Sequence, residues 1–223
     1  MFKRVKHIVI ALFAVAAMAA PASAATIIDF ATGSGTGAGG NVYLDGSNII
    51  GTDIPIGRLL VTDAPGAGDY SVFGTAFGAA GGAIFGDLDF NTGTGDISIS
   101  GCVPGLVGAG AGATTCDSIE LLLSGTITQF QNVFGTNNFV ALAAVDVKNA
   151  EMLANLGLDP NTPFVLTGSV QTGLPFGEGP LNGQPSVSTD VANTAVPEPA
   201  TMVLLGTGLL AAFRARQKQQ QQA

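Results

Sequence analysis

The chain has 223 residues, enough for one domain of ordinary size once terminal targeting segments are set aside, and two domains are not expected. It is 47% hydrophobic and 11% charged, with 32 glycines and no tryptophan, which excludes a disordered chain and favours a glycine-punctuated β protein over a helical bundle. Its charge is segregated: residues 25–196 hold fifteen carboxylates against Arg58 and Lys148 alone, a formal charge of −13, which excludes binding to nucleic acid or to anionic headgroups.

The first predicted element is an address. Lys3, Arg4 and Lys6 precede thirteen apolar residues, 8–20, the length of a signal-peptide core rather than a membrane span. Ala22 and Ala24 supply the small side chains for cleavage after Ala24 by signal peptidase following Sec export, so residues 1–24 are read as a signal helix that leaves the mature protein. The sole histidine, His7, leaves with it.

After the signal, short β-like runs follow at residues 26–30, 41–44, 56–63, 70–77 and 83–90, with a glycine loop at 33–40. Within that loop Gly35, Gly37 and Gly40 satisfy G-x-G-x-x-G, yet no helical periodicity follows to present an N-terminus to a pyrophosphate, and dinucleotide binding is rejected. Leu88 and Phe90 alternate with Asp87 and Asp89, and Ile97 and Ile99 alternate with Ser98 and Ser100. The glycine-containing link 91–95 between them predicts a β-hairpin. Asp87, Asp89, Asn91 and Asp96 place oxygens at near-alternate positions, as at the start of a calcium loop. Thr92 and Ser98 stand where such a loop needs glycine and a bidentate glutamate, so a solvated hairpin face is preferred to calcium. No other cofactor is expected.

Cys102 and Cys116 are the only cysteines of a chain routed to an oxidising compartment, and a structural disulfide between them is expected. Ile119, Leu121 and Leu123 share one parity that slips beyond Gly125 towards Phe130, as a bulge would produce. Phe139, Ala141, Ala143, Val145 and Val147 share one parity and mark another strand. Asn149 caps a short helix over 150–156, with Gly157 at its left-handed stop, and Phe164, Leu166 and Val170 mark a last strong strand. Residues 173–195 lack periodicity and read as a linker.

The predicted fold is all-β: an antiparallel β-sandwich, jelly-roll-like in one form, over residues 25–172 with one short helix. A parallel β-helix is the alternative, but no repeat of fixed period is visible. A hydrophobic C-terminal helix is expected over residues 200–213. Its fourteen residues give about 21 Å of helix against a bilayer core of about 30 Å, so it would span only with thinning or snorkelling.

That helix is flanked by Pro197-Glu198-Pro199 on one side and by Arg214, Arg216 and Lys218 on the other. This tripartite tail, residues 196–223, resembles the PEP-CTERM sorting signal. The resemblance implies an exosortase, a membrane-embedded cysteine transpeptidase, as partner. It also implies transient anchoring in the inner membrane of a Gram-negative bacterium, then delivery to the periplasm, outer surface or extracellular matrix, with a link to exopolysaccharide and biofilm. It covers the tail and implies nothing about the domain before it. The leading expectation is therefore an exported, non-catalytic surface or matrix protein. A carbohydrate- or calcium-dependent adhesive module is the alternative, and a hydrolase built on paired carboxylates is the third reading.

Overall fold

The computed structural model describes residues 25–33, 38–74, 85–109, 116–133 and 138–196. Within this range Thr26–Val196 is one compact unit. Its strands in chain order are β1 (Ile27–Ala31), β2 (Gly39–Asp45), β3 (Asn48–Ile56), β4 (Arg58–Thr62), β5 (Gly68–Ser71), β6 (Gly86–Asn91) and β7 (Asp96–Gly101). There follow β8 (Glu120–Val133), β9 (Asn138–Lys148), the helix α1 (Ala150–Asn155), β10 (Phe164–Thr172) and β11 (Gln184–Ala195). A 3-10 turn, Pro180–Asn182, precedes β11.

All-β architecture with one short helix is as expected, but the two sheets of a sandwich are replaced by a closed antiparallel barrel. Eight strands run round it in the order β10-β9-β8-β7-β6-β3-β2-β11, and β11 pairs with β10 to shut the ring. Alternation of apolar and polar residues is the same in a sandwich and in a barrel, so the sequence pattern does not separate them; closure removes both free edges. On its other edge β11 is shared: Gln184 and Ser186 pair with β2, while residues 190–194 pair with β1. From β1 the sheet branches through β4 to β5. Phe73 then bridges to Phe85 and Cys102, returning this branch to the wall at β6 and β7.

The core is apolar and continuous. Ile28, Phe30, Ile54, Ile56, Leu59, Leu88, Ile97, Ile99, Leu122, Leu123 and Phe164 are fully or almost fully buried in one cluster. At about 25 cal/mol per Å², burial of each such side chain favours folding by roughly 1.5–3 kcal/mol. The hairpin β6–β7 forms in the register that its alternation predicts, with Leu88 opposite Ile99 and Phe90 opposite Ile97. Its link is tied by Asn91, whose side-chain oxygen accepts the backbone N–H of Gly93 at 2.8 Å. Helix α1 also starts and stops where its signals say. Asn149 accepts the N–H groups of Glu151 and Met152, and Gly157, at φ 73°, ends the helix while the Leu158 N–H reaches back to the Leu153 carbonyl.

Three expectations need correction. The segment 173–195, expected as a linker, contains β11, the strand that closes the barrel, so the folded unit runs to Val196 rather than to residue 172. Its period was hidden because several inward side chains are polar. Ser186 and Thr189 share a hydroxyl–hydroxyl hydrogen bond of 2.9 Å, and Asn193 donates to the carbonyls of Ile28 and Val191. In β8 the expected slip beyond Gly125 is present as a bulge between Ile127 and Gln129, but an earlier bulge breaks the shared parity of Ile119, Leu121 and Leu123: Ile99 faces Leu123 while Ser100 faces Leu121, leaving Leu122 as the extra residue. Leu122 and Leu123 are both buried in consequence, and Ile119 and Leu121 are exposed. Finally, Asn48–Ile56 forms a full strand where the sequence pattern predicts only its last residue as β. Its apolar parity is broken by a register shift between Gly51 and Ile54, with Asp53 at φ 53°.

The signal segment, with Ala22 and Ala24, and the tail from Pro197 onward lie outside the described residues. Among the described residues no helix is long and apolar enough to cross a membrane.

Candidate functional site: the barrel end that carries the sorting tail

The end of β11 brings both ends of the compact unit together. Ala195 donates its N–H to the Thr26 carbonyl at 2.9 Å, and Val196 donates to the Pro163 carbonyl, also at 2.9 Å. Thr26 in turn bonds the Asp63 carbonyl through its hydroxyl. Residue 196, where the sorting tail was expected to start, is therefore fixed to the wall of the barrel by a backbone hydrogen bond. No slack segment lies between the last strand and Pro197.

Directly inside this corner is a buried ion pair that hydropathy does not mark. In β9 the even-numbered residues face the core, so Val140, Leu142 and Ala144 are followed inward by Asp146 and Lys148, whose side chains have no exposed surface. The Lys148 ammonium donates to Asp146 Oδ2 and lies 4.1 Å from the centroid of the Phe164 ring. Burial pushes the lysine down to about 8, opposed by the attraction of Asp146. The other carboxylate oxygen, Asp146 Oδ1, has no hydrogen-bond partner. Gly125, opposite Asp146, gives the carboxylate its room: a Cβ there would stand 2.9 Å from the Asp146 Cβ. A Lys two residues after an Asp in a strand is the signal that could have found this pair, because two residues apart means one shared face.

The carboxylates outside the core are grouped on other parts of the wall. Asp87 and Asp89 lie on the outer face of β6, and Asp89 accepts the backbone N–H of Asp53 at 2.8 Å. Partial burial, with the negative charges of Asp53 and Asp89, raises the Asp87 carboxyl above its usual range. The four calcium candidates are thus split in role. Asp87 and Asp89 sit beside Asp53, Asn91 is occupied as the cap of the hairpin link, and Asp96 pairs across the strands with Asn91 and Thr126. Among the described residues no three His, Cys, Asp or Glu side chains converge as a metal-binding group.

A second carboxylate pair joins β1 to β11. Burial pushes Asp29 up to about 6, helped by the hydrogen bond that its protonated carboxyl donates to the Asp190 side chain and by the negative charge of Asp190, and opposed by Arg58. Arg58 itself makes a two-pronged salt bridge with Asp69 at 2.9 Å on each arm, which holds the Asp69 carboxyl below its usual range. The expected disulfide is present. Cys102 and Cys116 are joined, with Cys102 also paired through its backbone to Phe73, so the loop between β7 and β8 is stapled to the barrel wall.

These features define a closed, apolar-cored barrel whose final strand leads without a spacer into a C-terminal tail. Residues 195–218 match the model of the PEP-CTERM protein-sorting motif, starting at the last residue of β11 and including Pro197, Glu198 and Pro199. The chain therefore carries the sorting signal of an exported protein of Gram-negative bacteria that is processed at the membrane by exosortase. No curated protein and no solved structure was found to match the chain.

Proposed function

We propose that the barrel is the cargo of this sorting system and works, without catalysing a reaction, at the cell surface or within an exopolysaccharide-rich matrix. The observation that carries this reading is the direct passage from the wall strand β11 into the sorting motif, so that whatever the tail delivers is the whole barrel. Several reactive or charged side chains are already engaged with one another: the two cysteines, Asp69 with Arg58, and Asp146 with Lys148. The alternation supports a barrel that is not membrane-spanning, since most of its buried side chains are apolar while Asp53, Asp89 and Asp190 project outward. A membrane-spanning barrel has the reverse pattern.

Deletion of residues 197–223, followed by fractionation of cells and matrix, tests the assignment. The truncated chain is expected in the soluble periplasmic fraction and missing from surface and matrix. Surface display at the level of the intact protein would refute it.

A further inference from the structure

The barrel is two-faced. On β9 from 141 to 147, and on β10 from 165 to 171, the odd-numbered side chains face outward and none carries a charge. Halfway round the eight-strand ring, at β6 and β3, the outer wall carries Asp53, Asp87 and Asp89. This wall exposes three valines, Val145 at 58%, Val147 at 69% and Val165 at 45%, and is bordered on β11 by the outward Asp190, opposite Ser169.

The register shows how these residues form one patch. Ile27 stands opposite Thr194, Thr194 opposite Val165, and Val165 opposite Val145. One row further along, Val196 is bonded to Pro163 beside the outward Val147. The patch thus ends on the residue from which the tail leaves. Strand β9 makes it at a visible cost, because it turns Asp146 and Lys148 into the core and leaves Val145 and Val147 in solvent. A slip of one residue would do the opposite.

The tail says what covers it. From Val196 to Ala200, where the apolar run of the sorting tail begins, there are four residue steps, a reach of at most about 15 Å even when fully extended. While the tail is in the bilayer, the corner holding Val196 cannot be farther than that from the lipid, and such a short tether gives even a weak patch a high effective concentration at the surface. We propose that the uncharged wall centred on Val145, Val147 and Val165 rests on the lipid surface of the bilayer while the sorting tail is inserted, with the Asp53–Asp87–Asp89 wall turned away. The proposal depends on the reading of residues 195–218 as an inserted sorting tail.

The chain has no tryptophan, so a single introduced one is an unambiguous probe. The exported chain, residues 25–223, is prepared as Val145→Trp and as Ile50→Trp, the latter on the outer face of β3, and mixed with phosphatidylcholine vesicles whose acyl chains carry bromine. Flotation with the vesicles reports on the tail, and quenching reports on the wall. If the wall lies on lipid, as an interfacial element seated about 5–10 Å into the headgroup boundary does, the Val145→Trp chain is quenched at least about twofold more than the Ile50→Trp chain. The effect also survives high salt, because no charge is involved. A matching melting temperature for both variants and the parent confirms that each is folded. Flotation with equal quenching overturns the proposal and leaves the tail reading standing; failure to float overturns both. Two further results count against lipid as the occupant. The first is a blue-shifted Val145→Trp emission in a dimer without vesicles, which assigns the wall to a second copy. The second is a Val145→Trp emission that is no more quenched than Ile50→Trp on the vesicles and shifts to the blue only when exosortase is added, which assigns the wall to that protein.

Discussion

Replacing the buried pair Asp146 and Lys148 tests the energetics of the barrel corner directly. Lys148 titrates near 8 in the folded chain against 10.5 unperturbed, so burying its charged form costs roughly 3 kcal/mol even with Asp146 beside it. Against this stands the attraction of the Phe164 ring, about 0.5–2 kcal/mol. The double replacement Asp146→Val with Lys148→Met keeps comparable volume and removes both charges. It is expected to leave stability unchanged or raise it by about 1–3 kcal/mol, in line with other buried pairs replaced by apolar residues. Lys148→Met alone strands the Asp146 carboxylate, one of whose oxygens already lacks a partner, and should cost about 3–5 kcal/mol. The pair also leaves a mark in pH. Between about 8 and 10.5 the folded chain releases the Lys148 proton while the unfolded chain keeps it, so stability of the parent rises with pH across that window. The double variant lacks the rise. Urea denaturation of the three chains at pH 7 and at pH 10 measures all of this. A double variant as damaged as the single one would refute the reasoning, because the loss would then come from packing rather than from an unpaired charge.

Asp29 titrates near 6 in the fold against 3.8 unperturbed, so its contribution is fully present below pH 4 and is lost as pH rises through 6. Because the group is only half-buried, Asp29→Asn should change stability at pH 7 by no more than about 1 kcal/mol, favourably, and flatten the slope of melting temperature between pH 4 and 6. Removing the disulfide by Cys102→Ser with Cys116→Ser opens a loop spanning 14 positions and should cost about 3 kcal/mol, read as a lower urea midpoint. Gly51→Ala would drive a methyl group onto the buried ring of Phe90 and the end of Ile54, costing about 1–3 kcal/mol in the same assay.

Local signals in this chain were reliable wherever one short stretch contained the whole cause. The hairpin at Asn91, the cap at Asn149 with its stop at Gly157, and the pairing of two lone cysteines each depend on residues close in sequence or on elimination. The sorting motif was legible for the same reason, since proline, a short apolar run and terminal basic residues act in order along the chain. Where a strand satisfies its inward side chains with hydrogen bonds rather than apolar contact, as β11 does with Thr189 and Asn193, hydropathy has nothing to mark.

The odd series Phe139, Ala141, Ala143, Val145 and Val147 marks the expected apolar face of β9, but Val140, Leu142 and Ala144 are as apolar, and it is the even series that turns inward while Val145 and Val147 are exposed. Only the pairing of β9 with β10, where Leu166 stands opposite Ala144 and Phe164 opposite Asp146, decided it. Closure was open in the sequence, since a ring and a pair of sheets ask for the same alternation. The contact that settles it, β10 with β11, joins strands whose register no single stretch encodes. Sequence alone determined that this chain is exported, tagged and β-rich, because those properties reside in consecutive residues. The tertiary structure decided that the tag is fastened to the closing strand of a barrel and that valines lie outside while an ion pair lies within, because those depend on which distant strand each edge and face meets.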